Sequence, residues 1–475
     1  MRHRKPSIVL TMLISSSLIL TACGGDTSGG AAPTTAPGAA AGGAAATTAP
    51  ASDSGGSSAG GVTIRYALWD SNQQPAYQAC ADAFHKANPN ITVKIEQFGW
   101  DDYWTNIQTG MVGGTAPDVF TDHLAKYPEF ATKGQLVDIQ SLVDRDKVDT
   151  SQYLTGLADL WVKDGKRYGL PKDWDTVAIV YNKDMFKKAG VDESVFKDLT
   201  WNPKDGGTFY QLIQKLTLDS NGNNATSANF DKTKVVQYGF IPVGSGGANG
   251  QTEWSWLTVA NGWKYNDGPW STKYYWDDPK FAEAIQWLAD LNLVHGVAPP
   301  LADITSLHAS TLFTSGKGAM TSDGDWNVNQ YLKDAKFPVG FGLLPKGPEG
   351  RKSMFNGLAD SITVGSKHQE EAWQWVKYAS SAACEDTVGA TGVVFPAIKS
   401  GVDASLAKHK ADGVDVTAFT EEALDPKGTF LFPIADHASE VSSIMMPVMD
   451  SIFLGQAKAA DVLKDANDQV NAVFK

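Results

Sequence analysis

The 475-residue chain has little cysteine, a deficit of basic residues and few long apolar runs. It contains three cysteines, and its 40 Lys and Arg are outnumbered by 53 Asp and Glu, giving a net charge of −13. Nucleic acid and anionic lipid bind to basic surfaces, so neither is expected as a partner. After Leu20, no apolar run reaches the roughly 20 residues that a membrane-spanning helix needs.

The chain also lacks the sequence signatures of common enzymes and metal sites. It has no G-x-S-x-G, no H-E-x-x-H and no pair of C-x-x-C motifs. Residues 219–230 open like a calcium loop with Asp219, but Asn224 stands where the loop needs Gly and Phe230 where it needs Glu. A surface turn is predicted there, with a calcium ion near Asp219 as the alternative. No metal, no cofactor and no catalytic residue is predicted.

Cys23 stands at the end of a short apolar segment. A basic start over 2–5 precedes a mostly apolar run over 8–20, and the small residue Ala22 comes just before Cys23. These are the parts of a secretory signal peptide, predicted here at 1–22. The letters LTAC also resemble the bacterial lipobox, which implies that Cys23 is acylated and anchors an exported protein to the outer face of the cell membrane. The alternative is an ordinary signal peptide with an unrelated cysteine.

The segment after Cys23 has a composition that cannot form a packed core. Residues 24–61 are almost entirely Gly, Ala, Ser, Thr and Pro, with Asp26 and Asp53 as their only charges. We therefore predict that 23–61 is a lipidated cysteine followed by a disordered, flexible tether. About 410 residues remain, more than a single core usually holds, so two domains are expected.

Strand and helix patterns alternate along the rest of the chain. Period-2 alternation predicts strands in VTIRYALW (62–69) and ITVKIEQF (91–98), and further strands are predicted in PDVFTDH (117–123) and SITVGS (361–366). Helical spacing marks 73–90 and 101–114, and two last helices are predicted at about 438–453 and 458–473. This alternation indicates an α/β protein with a largely parallel sheet.

Carboxylates recur beside aromatic or imidazole rings in three short segments, KDWDT (172–176), DGDW (323–326) and TDH (121–123). Paired carboxylates could serve a secreted glycoside-acting enzyme. The same residue types also bind sugars without cleaving them, because aromatic rings pack on the apolar faces of a sugar and carboxylates accept hydrogen bonds from its hydroxyl groups. Both functions are therefore considered.

Several segments together resemble the sugar-binding extracellular solute-binding proteins of bacterial ABC importers, a family that includes maltose-binding protein. They are AFHKANPNITVKI, GTAPDVF, KGQLVDI, YGLPKDWDTVAIVYNKDMFKKAG, GKGAMTSDGDW, PKGPEG and EEAWQWVKY, in the order and spacing of that family. The resemblance runs over 62–475 and implies a two-lobed periplasmic-binding-protein-like α/β fold of type II, with a hinge of several crossovers and a cleft between the lobes. The N-terminal lobe is expected at 62–174 plus about 358–392, and the C-terminal lobe at 175–357 plus about 393–475.

The same resemblance implies a function and a set of site residues. It implies a monomeric binding protein, not an enzyme, that captures a sugar or oligosaccharide and delivers it to the membrane permease subunits of an ABC importer. The substrate-binding residues carried over are Trp69, Asp70, Asp122, His123, Asp173, Trp174, Trp254, Trp326, Asn356 and Gly357. Ala125 and Lys126 stand where maltose-specific members have an acidic and an aromatic residue, which argues against maltose as the ligand.

The two remaining cysteines are Cys80 and Cys384. In an exported protein they permit one disulfide, and their spacing alone favours it no more than two buried free thiols. The resemblance places both segments in the N-terminal lobe and so implies a Cys80–Cys384 disulfide.

Overall fold

Strands and helices alternate through the N-terminal part of the computed structural model, which describes residues 61–425 and 427–475. The predicted signal peptide, Cys23 and nearly all of the predicted tether lie outside the described residues. Within these two ranges, no helix combines the length and apolar character needed to cross a bilayer.

Fourteen strands are assigned in the described ranges. They are β1 (Val62–Leu68), β2 (Ile91–Gln97), β3 (Val119–His123), β4 (Val162–Lys163), β5 (Lys166–Arg167), β6 (Leu170–Asp175), β7 (Val177–Asn182), β8 (Leu218–Asp219), β9 (Val235–Gln237), β10 (Met320–Gly324), β11 (Val339–Gly342), β12 (Ser353–Ile362), β13 (Phe395–Pro396) and β14 (Thr429–Leu431).

The α-helices are α1 (Gln74–Ala87), α2 (Trp100–Gly113), α3 (Tyr127–Thr132), α4 (Gln140–Asp146), α5 (Lys183–Lys188), α6 (Gly207–Leu216), α7 (Ser255–Ala260), α8 (Pro279–Leu293), α9 (Leu301–Leu307), α10 (Ala309–Thr314), α11 (Val328–Asp334), α12 (Gln369–Ala379), α13 (Ala382–Gly389), α14 (Lys399–Ala411), α15 (Thr417–Leu424), α16 (Ala438–Phe453) and α17 (Ala459–Val473). Short 3-10 helices span Thr150–Gln152, Leu157–Trp161, Glu193–Lys197 and Asp325–Asn327.

The larger sheet has the strand order β13-β6-β12-β3-β1-β2, and β14 pairs with the start of β12. The three strands that come first in the chain, β1, β2 and β3, follow the predicted parallel pattern, since β1 pairs in parallel with both β2 and β3. In contrast, β12 runs antiparallel to β3 and β6. The sheet is therefore mixed, because β12 arrives from another sheet and not through a crossover helix of the same one.

The second sheet has three strands in the order β10-β7-β11, and both pairings are antiparallel. Only Thr176 separates β6 of the larger sheet from β7 of this one, so the chain passes between the two sheets there. It returns between β11 and β12. After position 392 the larger sheet gains β13, which pairs with β6. The exact division of the chain into lobes stays a prediction.

Helix α1 buries the apolar face that its spacing predicts. Tyr77, Cys80, Ala81 and Phe84 are all buried, and α13 packs against this helix. The structure joins Cys80 of α1 to Cys384 of α13 in a disulfide, with their Cα atoms 5.3 Å apart.

At two segments the structure can be compared directly with the sequence-based prediction. The strand predicted at 361–366 is in fact the end of β12, which starts at Ser353 and ends at Ile362. Its polar and glycine-containing first half is buried and pairs with β14 and with the end of β6, which the local pattern does not show. The predicted turn at Asp219 ties its own loop together: its carboxylate accepts the backbone N–H groups of Asn221, Asn223 and Asp231 at 2.8, 2.9 and 3.0 Å.

Candidate functional site

The ends of several strands surround a cleft of about 480 Å³, a size typical of small-molecule sites. Trp69 and Asp70 follow β1, Trp100 follows β2, and His123 ends β3. These strands are parallel, and the carboxyl ends of parallel strands meet at one edge of a sheet. Residues from β6, β12 and the end of β10 complete the lining. The full lining is Trp69, Asp70, Ser71, Gln73, Gln97, Gly99, Trp100, His123, Asp173, Trp174, Asp175, Gln251, Asp325, Trp326, Asn327, Asn356, Leu358 and Val394.

Three of the four tryptophans in the lining offer ring surface to the cleft. The rings of Trp69 and Trp100 meet edge to face with centroids 5.1 Å apart, and Trp100 is 45% exposed. Trp326 lies just after β10, where its ring covers Gly324 so closely that a Cβ at that glycine would stand 1.9 Å from the ring. The glycine therefore makes room for the Trp326 ring.

Trp174 lines the cleft in a different way. Its ring lies near-parallel to Phe355 and Phe395, with centroid distances of 5.8 and 5.1 Å. These phenylalanines belong to the strands on either side of β6, so both faces of the indole are covered. Trp174 can present only its edge, including an Nε1–H that has no acceptor among the described residues.

Asp173, Asp175 and Asp325 form a group of buried carboxyls along the cleft. Asp175 accepts hydrogen bonds from Gln251 Nε2 at 2.7 Å and from the Asn356 side chain at 2.8 Å. Asp325 Oδ1 accepts the Thr176 N–H at 3.0 Å. Within the described ranges, Asp173 Oδ2 and Asp325 Oδ2 have no hydrogen-bond partner. A buried polar atom without a hydrogen-bond partner is costly, so a ligand group that hydrogen-bonds to either oxygen would gain binding energy.

Burial keeps these carboxyls close to neutral. It raises the pKa of Asp173 to about 7, an effect that the nearby Lys172 reduces, and it raises the pKa of Asp175 to about 8. Burial and then the adjacent Asp175 raise the pKa of Asp325 well above its usual range. Removal from water disfavours the charged form of an acid, so the group takes up protons at a pH where exposed aspartates are ionised.

His123, Asn356 and Asp175 form a chain of contacts. Burial lowers the pKa of His123 to about 3, and its Nδ1 accepts the Ala125 N–H at 3.0 Å. Nε2 of the ring lies 3.1 Å from the side-chain nitrogen of Asn356. The same nitrogen donates to Asp175 Oδ2 at 2.8 Å, so Asn356 connects His123 to Asp175.

Most of the residues predicted from the sequence line this cleft, namely Trp69, Asp70, His123, Asp173, Trp174, Trp326 and Asn356. Asp122 does not line it, because consecutive residues of a strand point to opposite faces and His123 takes the cleft side. The Asp122 carboxyl instead accepts the His123 N–H at 2.8 Å and is fully buried.

Trp254 and Gly357 also lie outside the lining. Trp254 is fully buried in an aromatic cluster with Trp263 and Phe281, and its Nε1–H donates to the Ser245 carbonyl at 3.0 Å. Gly357 lies within β12, where a Cβ would stand 2.4 Å from Leu157. Its role is close packing.

Comparison with known sequences decides the family. The sequence profile of the bacterial extracellular solute-binding proteins matches residues 69–383, well over half of the chain. The chain belongs to this family.

Individual relatives of this solute-binding protein are distant but nearly full-length. The galactooligosaccharide-binding protein of Bacillus subtilis is 23% identical over 417 residues, covering 86% of this chain and 89% of the relative. The crystal structure of UspC from M. tuberculosis is 26% identical, covers 86% of this chain and 100% of that one, and has a TM-score of 0.68. An ABC substrate-binding protein of Listeria monocytogenes, solved with cycloalternan, has a TM-score of 0.74 at 24% identity, covering 87% of this chain and 98% of that one. The fold is thus the two-lobed periplasmic-binding-protein-like fold.

Several lining residues of this solute-binding protein were not predicted. Asp175 and Asp325 belong to segments that the sequence pattern did single out, so a signal for them existed. Trp100 follows the end of β2, a position that the rule on strand ends could have identified. Gln251 lies in a loop before α7 and carries no local signal; its 2.7 Å contact with Asp175 is visible only in the tertiary structure.

The buried acids predict how stability depends on pH. Burial raises the pKa of Asp122, like that of Asp175, to about 8, so the folded state holds these protons after the unfolded state has released them. Their stabilising effect is full below about pH 4 and is lost as pH rises through the folded-state pKa, by up to about 1.4 kcal/mol per pH unit for each group. We expect the thermal midpoint of the unliganded protein to fall between pH 6.5 and 8.

That window limits an opposing contribution. His123, whose pKa is lowered by burial to about 3, is neutral in the folded state over this whole window. In the unfolded state it loses its remaining charge just above its ordinary pKa of about 6.5, so its opposing slope fades as pH rises through the window. Asp173→Asn should reduce the dependence of the thermal midpoint on pH. Calorimetric scans of the parent protein and of this variant at several pH values measure the effect. A midpoint that is constant or rises over this window would show that the acids are ionised in the folded protein.

Proposed function

We propose that this protein is the ligand-capturing subunit of an ABC importer and binds a sugar or oligosaccharide in the cleft. The observation that supports this most strongly is the composition of the lining. Trp69, Trp100 and Trp326 line the same cleft as hydrogen-bonding groups such as Asp173 and Asp325. A sugar has apolar faces that pack on aromatic rings. Its hydroxyl groups donate hydrogen bonds, and a carboxylate accepts them more strongly than a neutral group does.

The relatives support the same ligand class. The Bacillus subtilis protein is named for galactooligosaccharide binding, and the Listeria protein was solved with cycloalternan. In this protein the ligand would lie between the carboxyl ends of β1, β2 and β3 and the segment 325–327. The chain crosses between the two sheets near Thr176 and again between β11 and β12, and a hinge motion at these crossings would enclose the ligand.

Export and anchoring complete the proposal. The acylated Cys23 would hold the protein on the outer face of the membrane, and the segment 24–61 would give it reach to the permease subunits. A single acyl chain anchors only weakly, so stable attachment requires more than one chain. The protein is proposed to act as a monomer and without an enzymatic step.

Titration with neutral and amino sugars tests this function. We expect calorimetry against a panel of mono- and oligosaccharides to give at least one saturable binding isotherm, with the sugar recovered unchanged. Chromatography of the sugar after incubation serves as the control for turnover. If no sugar in the panel binds, the proposed function is wrong.

One observation keeps the glycoside-acting enzyme as a second candidate. Burial raises the pKa of Asp173 to about 7, and glycosidases use a carboxylic acid that keeps its proton near neutral pH. Release of shorter sugars in the same incubation, lost in Asp173→Asn, would favour that candidate over the binding protein.

A further inference from the structure

The charge of the cleft lining has one sign. Asp70, Asp173, Asp175 and Asp325 line it, and none of the described residues in the lining is Lys or Arg. Lys172, a buried cation next to Asp173 in the sequence, has its own partners: its Nζ donates to Tyr66 and Thr121, both at 3.0 Å, and lies 3.9 Å from Asp360. Lys172 also covers the ring of Tyr77 at 3.7 Å.

The carboxyls differ in what they leave free. Asp175 has both oxygens occupied, by Gln251 and Asn356. Asp173 and Asp325 are 2% and 4% exposed, and each keeps one oxygen without a partner among the described residues. Both residues line the cleft, so hydrogen-bond donors of a ligand would satisfy these two oxygens.

We propose that the preferred ligand is a sugar with a free amino group, whose ammonium donates to the unpartnered oxygens of Asp173 and Asp325. This inference rests on the proposed function, since it names the ligand class of the same cleft. An ammonium has three donors and a positive charge, so it can donate to both oxygens, and its charge stabilises the ionised form of carboxyls that burial otherwise keeps protonated. A hydroxyl group offers one donor and no charge.

Other charged ligands fit less well. A phosphorylated or uronic sugar would place a negative charge beside four acidic side chains without a cation to balance it. A bound metal ion is not indicated, because the described residues contain no group of three His, Cys, Asp or Glu side chains arranged to hold one. The ammonium is therefore the cation that the cleft fits.

Matched sugars that differ in one substituent test the inference. Oligomers of β1,4-linked glucosamine, their N-acetylated forms and the corresponding cello-oligomers share a backbone but carry ammonium, amide or hydroxyl at the same position. Calorimetry at pH 6 should show the glucosamine oligomer binding at least about tenfold more tightly than either neutral analogue, the difference between a charge-assisted and a neutral hydrogen bond.

Proton release gives a second readout that requires no variant. Burial holds the pKa of Asp173 at about 7, so this group is mostly protonated at pH 6, and an arriving ammonium stabilises its ionised form. Binding of the amine should release up to about one proton, measured as a dependence of the binding heat on the ionisation enthalpy of the buffer. The neutral analogues should release none.

Variants identify the residues responsible. Asp325→Asn and Asp173→Asn should each lower the ratio of amine to neutral affinity at least tenfold, as measured by calorimetry. Asp101→Asn makes the same change of charge on an exposed residue of α2 outside the lining, and it should leave the ratio unchanged. If either cleft variant fails to fold, the other variant and the proton release still decide.

Each outcome has a distinct meaning. Binding of neutral sugars with equal or higher affinity overturns the ammonium inference and leaves sugar binding intact. Amine binding without proton release, or with a ratio unchanged in both cleft variants, also overturns it. If neither these sugars nor the wider panel bind, the proposed function fails as well.

Discussion

Replacing Trp326 by alanine is expected to weaken sugar binding by about 2–4 kcal/mol, roughly 30- to 1000-fold in Kd. The ring is part-buried just after β10 and lines the cleft, and it packs directly on Gly324. Truncation of Trp326 to alanine would remove the ring surface that contacts the ligand, and water would occupy the space left by the ring. Calorimetry with the best ligand of the panel measures the loss.

Two further variants make that experiment specific. Trp326→Phe keeps an aromatic face and should recover part of the affinity. Trp287→Ala removes another part-buried tryptophan, one that packs against Trp201 and Phe209 outside the cleft. It should lower stability and leave affinity unchanged. If Trp326→Ala binds as tightly as the parent protein, Trp326 is not part of the ligand site.

Loss of the Cys80–Cys384 disulfide is expected to lower the free energy of unfolding by about 2–5 kcal/mol. The bond joins residues 304 positions apart in sequence, so it restricts the unfolded chain over most of its length. It also ties α1 to α13, beside the sheet whose strand ends form the cleft. Urea denaturation of the double variant Cys80→Ser/Cys384→Ser, compared with the parent protein, measures the loss.

A chemical control accompanies that measurement. Thiol titration of the denatured, unreduced parent protein should detect neither Cys80 nor Cys384, and prior reduction should reveal both. The reduced parent should then denature at the urea concentration of the double variant. Equal stability with and without reductant would show that the bond contributes nothing to folding.

Local sequence patterns predicted much of this fold. The last two helices were predicted at about 438–453 and 458–473 and are found at Ala438–Phe453 and Ala459–Val473, because their apolar residues recur with helical spacing. The pattern misplaced β12, whose residues 353–360 mix Gly, Asn and Asp with apolar residues. Burial between neighbouring strands on both sides overrides its weak strand propensity.

The sequence by itself determined the alternation of strands and helices and the residue types that line the cleft, because composition and spacing act locally; the signal peptide stays a prediction. Only the tertiary structure decided which side chains share the cleft. Asp175 meets Gln251 and Asn356 across 76 and 181 positions, and the pleat turns His123 into the cleft and Asp122 away from it. Strand register and burial set those contacts. They also leave one oxygen each of Asp173 and Asp325 without a partner among the residues that the structure describes. Neither result can be read from local spacing.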